Sequence, residues 1–193
     1  KPDEGYRSRI DKRSEKAGIG VYSVELTDYD IKAEVSATTR AGIERFTFPT
    51  DKGEGRILIE LHPQSEYDFF LENIDVRKVS DTRIEGCVRQ FSPGVWSYDA
   101  DQDYTLHFVV EFDQPMTGLG SWCDKDVKHD VQIRKNGKRC REAGLFATFD
   151  PSKNPVVQVR TGISLVSVQN AAENLHAELA EPFGWNFEAV VEN

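Results

Sequence analysis

Cysteine is scarce in this sequence: Cys87, Cys123 and Cys140 are the only three in 193 residues. That is too few for a disulfide-built scaffold, and the odd number leaves one thiol over whichever pair forms. No window approaches the run of about 18 apolar residues that a membrane-spanning helix needs. No charged-then-apolar leader opens the chain at Lys1 either, so a soluble chain that is mature, truncated or leaderless is expected. Positive charge is in deficit, with 24 Lys and Arg against 33 Asp and Glu and a net charge of −9. Such a field repels phosphate backbones and anionic bilayers, so neither nucleic acid nor membrane is an expected partner. The two basic clusters, Arg7 to Lys16 and Lys135 to Arg141, read as solvated surface: Asp11 and Glu15 dilute the first, and the second surrounds Asn136-Gly137.

Motifs that carry chemistry are missing too. There is no Gly-x-Ser-x-Gly elbow, no Walker glycine loop, no His-Glu-x-x-His and no EF-hand spacing. His62, His107, His129 and His176 are scattered without metal-ligand spacing. Among 33 carboxylates some are neighbours by chance, so no acid pair stands out. Cys123 and Cys140 flank a segment with the tight-turn dipeptide Asn136-Gly137, which can bring their thiols together for a disulfide in an oxidising compartment. The same stretch offers Cys123, His129 and Cys140 as zinc ligands, at a spacing of no standard structural site and without a fourth ligand.

Period-two patterning dominates what is present. Tyr22, Val24 and Leu26 alternate with polar residues, then Ile31, Ala33, Val35 and Ala37, with Thr27 to Asp30 as a turn between them. Ile57, Ile59 and Leu61 alternate likewise, as do Leu106, Phe108, Val110 and Phe112, and Leu145, Ala147 and Phe149. Further strands are expected at 43–48, 70–79, 82–90 and 156–165, the middle two joined at Ser80-Asp81-Thr82. About nine short strands, with no helical pattern before residue 167, call for two packed sheets: an all-β, antiparallel β-sandwich. Its expected core is Tyr22, Val24, Leu26, Ile31, Ala33, Val35, Phe46, Phe48, Ile57, Ile59, Phe108, Val110, Phe112, Val157 and Val159. One helix is expected behind a Ser167 cap, with Val168, Ala171, Ala172, Leu175 and Leu179 on one face. A second begins at Trp185. Residues 1–181 thus read as the sandwich domain and 182–193 as the start of a linker helix toward a further domain.

Two irregular stretches, Phe91 to Asp103 and Gly118 to Arg141, each carry a tryptophan. Trp96, with Tyr98, and Trp122 are the candidate sugar-binding residues, flat rings able to stack on the apolar face of a pyranose; packing beneath their own loops is the competing reading. Trp185 and Phe187 are the candidate interface toward the further domain, expected to leave an apolar patch.

The run Tyr22 to Gly42, followed by Arg45-Phe46-Thr47-Phe48-Pro49, closely resembles the opening sandwich of glycoside hydrolase family 92. Ile84-Glu85-Gly86, Leu106 to Pro115, Val159 to Ala171, Asn174 to Glu178 and Trp185 to Val190 extend the resemblance in order along nearly the whole chain. It implies the N-terminal, non-catalytic domain of a secreted or periplasmic α-mannosidase of the α-1,2 type, acting on mannose-containing glycans. It further implies a helical (α/α)6 barrel as partner domain, which supplies both catalytic carboxylates and the calcium, so no catalytic or metal-binding residue falls in this chain and the isolated chain is expected to be inactive. Asp11-Lys12-Arg13 departs from the family's Ser-His-Glu, so no role is carried onto that segment. The alternative is a free-standing carbohydrate-binding sandwich that holds glycans without cleaving them.

Overall fold

The computed structural model describes residues 7–62, 68–94 and 101–193. Among them thirteen strands form two antiparallel sheets. They are β1 (Lys16–Gly18), β2 (Val21–Leu26), β3 (Ile31–Ala37), β4 (Ala41–Thr47), β5 (Gly55–Glu60), β6 (Phe70–Ser80), β7 (Arg83–Ser92), β8 (Gln102–Phe112), β9 (Gly118–Cys123), β10 (Asp126–Lys128), β11 (Ile133–Asn136), β12 (Ala143–Phe149) and β13 (Val156–Ser164). The larger sheet runs β1-β2-β3-β4-β13-β8-β7-β6-β11 and the smaller β10-β9-β12-β5. The chain is a β-sandwich, as the alternation implied.

The inner faces meet in one core, where Phe108, Val110, Phe112, Val157 and Val159 of the larger sheet face Ile57, Leu119, Leu145, Ala147 and Phe149 of the smaller. Eight of the fifteen expected core residues are buried. Tyr22, Leu26, Ile31, Ala33, Phe46 and Ile59 are half-buried. Val35 is a correction: it is 37% exposed while its neighbour Glu34 is 8% exposed. The smaller sheet does not reach over β3, and the opposite face of that strand is the covered one. There Glu34 accepts from Arg45 Nε at 2.8 Å and from Lys32 Nζ at 2.9 Å. The hydrogen bond from Arg45 holds its carboxyl below the usual range.

The opposite cover is a helical layer: α1 (Val168–Leu175), a π-helical turn (His176–Ala180), α2 (Glu181–Phe183) and α3 (Phe187–Glu192). Ser167 Oγ caps α1 by accepting the N–H of Asn170 at 3.0 Å. Gly162 lets the helix settle on the sheet, since a Cβ there would sit 2.4 Å from the Ala171 carbonyl oxygen and 2.6 Å from Leu175 Cβ. Ala171, Leu175, Leu179, Phe187 and Val190 close a second core over Ala41, Ile43 and Val109. Phe187 is only 3% exposed and lies under the Arg45 guanidinium at 4.5 Å. The expectation of a free apolar patch there is therefore corrected: the chain's own sheet covers Phe187. Trp185 is half-buried, its ring face occupied by Arg160 at 3.8 Å. Packing runs without a break across residue 181, because α1 and α3 share this one core.

Beside the helices the same sheet face carries a ladder of charges. Arg77 pairs with Glu85. Arg83 reaches Glu85 at 3.2 Å and Glu111 at 3.0 Å, and Arg160 reaches Glu111 at 2.7 Å. Arg160 ends the ladder by donating to the Gly184 carbonyl at 2.9 Å. Burying Arg160, 8% exposed, is tolerable because its charge is met on two sides.

The Gly118 to Arg141 stretch is a third correction, since it holds β9, β10 and β11 rather than an irregular loop. Val95 to Ala100, with Trp96 and Tyr98, lies outside the described residues.

Phe108→Ala is expected to cost about 3–5 kcal/mol through lost burial and a cavity, whereas Val35→Ala stays within about 0.5–1 kcal/mol. Urea melts of the two variants check the face assignment, and equal losses would refute it.

Candidate functional site

Alternation along the smaller sheet turns a second set of side chains away from the core. Trp122 of β9 stands opposite Val127 of β10 and Gly144 of β12. Phe146 of β12 stands opposite Gly120 of β9 and Leu58 of β5. Both rings lie flat across the neighbouring strand onto a glycine. A Cβ on Gly144 would fall 2.1 Å from the Trp122 ring, and one on Gly120 would fall 1.9 Å from the Phe146 ring. Glycine is poor in a strand interior, and an aromatic laid over it restores the lost contact. His129 meets Phe146 edge-on at 5.5 Å. Leu58 and Val127, 41% and 53% exposed, flank the two rings. Among the described residues no helix packs on this face; the helices contact β3, β4, β7, β8 and β13 of the other sheet.

Leu58 also lines a groove of about 760 Å3 between the edge strand β5 and the ends of β2, β3 and β4, with Tyr29, Phe46, Phe48, Pro49 and Pro151. The volume falls within the roughly 300–1,000 Å3 of small-molecule sites. Through Leu58 the flat aromatic face and the groove are continuous. Polar groups sit at the rim, where Asp28 is bound by Arg9, and Arg56 Nε lies 2.9 Å from Glu54. Beside Gly144, Glu60 lies 3.0 Å from His62 Nδ1. The arrangement can stack planar apolar surfaces, such as one face of a sugar ring, and hydrogen-bond at the margin.

Among the described residues, the carboxyls of Glu44 and Asp113 lie away from this groove. Burial pushes both up, and Asp113 is occupied by the backbone N–H of Gln158 at 3.0 Å. Among the described residues no three His, Cys, Asp or Glu converge to hold a metal ion. The trio Cys123, His129 and Cys140 does not come together as a zinc site. Cys123 and Cys140 belong to the inner core, whereas His129 sits against Phe146 on the outer face. Much of the two basic clusters is likewise spent on carboxylates: Arg13 on Asp11, Lys12 on Glu15, Lys135 on Asp75, Arg139 on Glu72 and Arg141 on Asp68.

Of the residues singled out from sequence, Trp122 thus lies on this outer face. Trp185 and Phe187 belong to the helical layer across the molecule. Phe146, Leu58 and Val127 were not anticipated. Their signal was present as Gly118-x-Gly120 and Gly144-x-Phe146, glycine and aromatic residues at strand spacing off the core face.

The family profile described as the glycosyl hydrolase family 92 N-terminal domain matches residues 1–164, and the chain belongs to that family. No curated protein matches the sequence. Among solved structures, the family GH92 alpha-mannosidase BT3965 from Bacteroides thetaiotaomicron is 28% identical with a TM-score of 0.74, over 99% of this chain and 24% of that one. The family GH92 inverting mannosidase BT2199 from Bacteroides thetaiotaomicron VPI-5482 is 18% identical with a TM-score of 0.73, over 96% of this chain and 22% of that one. The family GH92 glycosyl hydrolase ccman5 is 24% identical with a TM-score of 0.72, over 96% and 24%. At these last two identities the likeness is one of fold. The chain spans about a quarter of the length of the structures it matches.

Gly120→Ala is expected to lift Phe146 off its neighbour and cost about 1–3 kcal/mol. In a Phe146→Ala background the same change should cost far less, since the two residues share one contact. A double-mutant cycle by denaturant unfolding checks this; additive losses would mean that the ring does not rest on Gly120.

Proposed function

We propose that this chain is the non-catalytic N-terminal domain of a secreted or periplasmic α-mannosidase of the α-1,2 type. Its role is to brace a helical (α/α)6 barrel in the same parent chain and to form one wall of the sugar cleft. One observation carries the reading: 99% of the chain is accounted for by 24% of a GH92 α-mannosidase. Hydrolysis with inversion needs a general acid and a general base roughly 6.5–9.5 Å apart to admit water, and in this reading both, with the calcium, belong to the barrel. This domain contributes shape and stacking, through Trp122 and its neighbours and through Trp96, toward mannose-containing glycans.

A second reading, a carbohydrate-binding sandwich that acts alone, is favoured by the aromatic face of the smaller sheet, which needs no catalytic partner to hold a sugar. The two part on catalysis by the parent. The isolated chain, incubated with an aryl α-mannoside and calcium, is expected to release no mannose, and the parent protein is expected to release it. Calcium-dependent turnover by the isolated chain after removal of host enzymes would overturn the assignment of catalysis to the barrel, and an inactive parent would favour the binding module.

A further inference from the structure

Cys123 closes β9 of the smaller sheet, and Cys140 lies in the segment before β12. Cys140 also exchanges both backbone hydrogen bonds with Leu71 of the larger sheet, at 2.8 and 3.0 Å. Between them the chain crosses from one sheet to the other, laying β10 on the smaller and β11 on the larger. In the structure all three cysteines are free thiols. Cys123 is the thiol neighbour of Cys140. A single side-chain amide addresses both: Asn136 Nδ2 lies 3.0 Å from Cys123 Sγ and 3.8 Å from Cys140 Sγ. Cys123 is half-buried and Cys140 is 2% exposed. Cys87, on β7 of the larger sheet, has Asp75 and Lys135 as its charged neighbours and no thiol.

We propose that Cys123 and Cys140 are a disulfide-forming pair, closed by thiol–disulfide exchange with a small-molecule or protein disulfide, and that the bond staples the two sheets at the β10–β11 side. Burial and the adjoining Cys123 push the Cys140 thiol up to about 12, so the more accessible Cys123, whose sulfur the Asn136 amide addresses, is the thiol that meets the donor. Cys123 S⁻ attacks one sulfur of the donor, RS–SR, forming a mixed disulfide and expelling RS⁻, which takes up the proton Cys123 gave to water. Cys140 then loses its proton to solvent and attacks Cys123 Sγ, expelling the second thiolate. Two protein thiols and one donor disulfide become one protein disulfide and two donor thiols. The bond would hold in place the strand that carries Trp122, so that the aromatic face is set once the protein is oxidised. This inference is independent of the mannosidase reading.

The test is exchange with oxidised glutathione as the disulfide donor, followed by alkylation, non-reducing digestion and mass spectrometry. The expected product has lost two hydrogens, links the peptides carrying Cys123 and Cys140, and leaves Cys87 alkylated. Its thermal midpoint should exceed that of the dithiothreitol-reduced chain by about 10 °C, a difference that Cys87→Ser preserves and Cys123→Ser removes. Recovery of both thiols as alkylated or glutathione-capped after exchange, or a link through Cys87, would overturn the pairing. A bridge that leaves the midpoint unmoved would overturn the staple.

Discussion

A nine-stranded sheet has two faces to bury, and the four-stranded sheet covers only part of one. That mismatch sets the rest of the structure. On the covered side Phe108, Val110 and Phe112 meet Leu145 and Phe149, as in any sandwich. On the other side the sheet becomes the floor for the C-terminal helices, with Gly162 clearing space for α1 and Phe187 seated over the Ile43 region. Where the helices end, apolar cover gives way to the ladder from Arg77 to Arg160, which spans strands β6, β7, β8 and β13 and finishes on the Gly184 carbonyl and the Trp185 ring. The chain is therefore three layers deep over much of the larger sheet.

The consequence for function is a division of faces. The outer face of the larger sheet is committed to the chain's own helices and charges. The outer face of the smaller sheet carries Trp122 and Phe146 on glycines and continues through Leu58 into the groove at Phe46, Phe48 and Tyr29. Stacking surface and concavity thus lie on the side that the helices leave alone.

Alternation made most of this fold legible. Where apolar residues sit every second position, as in Leu106 to Phe112, the strand and its buried face were both readable. Alternation alone does not say which of two faces is covered: in β3 the apolar set Val35 and Ala37 faces the side that the smaller sheet does not reach, and Glu34 and Ser36 are buried instead. Strands β10 and β11 span three and four residues, too short to hold a periodic signal, and the glycines of β9 read as loop. For the same reason Trp122 was visible as an aromatic but not as part of a face, because Phe146 belongs to a strand whose apolar signal came from Leu145, Ala147 and Phe149. Phe187 read as interface because the sequence does not show that α3 folds back onto Ile43.

The family profile ends at residue 164, the last residue of β13, while the second core draws five of its buried residues from beyond it. The helical layer therefore belongs to the same folding unit as the sandwich. Urea unfolding of the whole chain beside a version ending at Ser164 tests it directly. The shortened chain, with Ile43, Val109 and Ala41 uncovered, is expected to lose its cooperative transition or to unfold at a much lower urea concentration. An unchanged midpoint and slope would contradict the claim and make the sandwich self-sufficient.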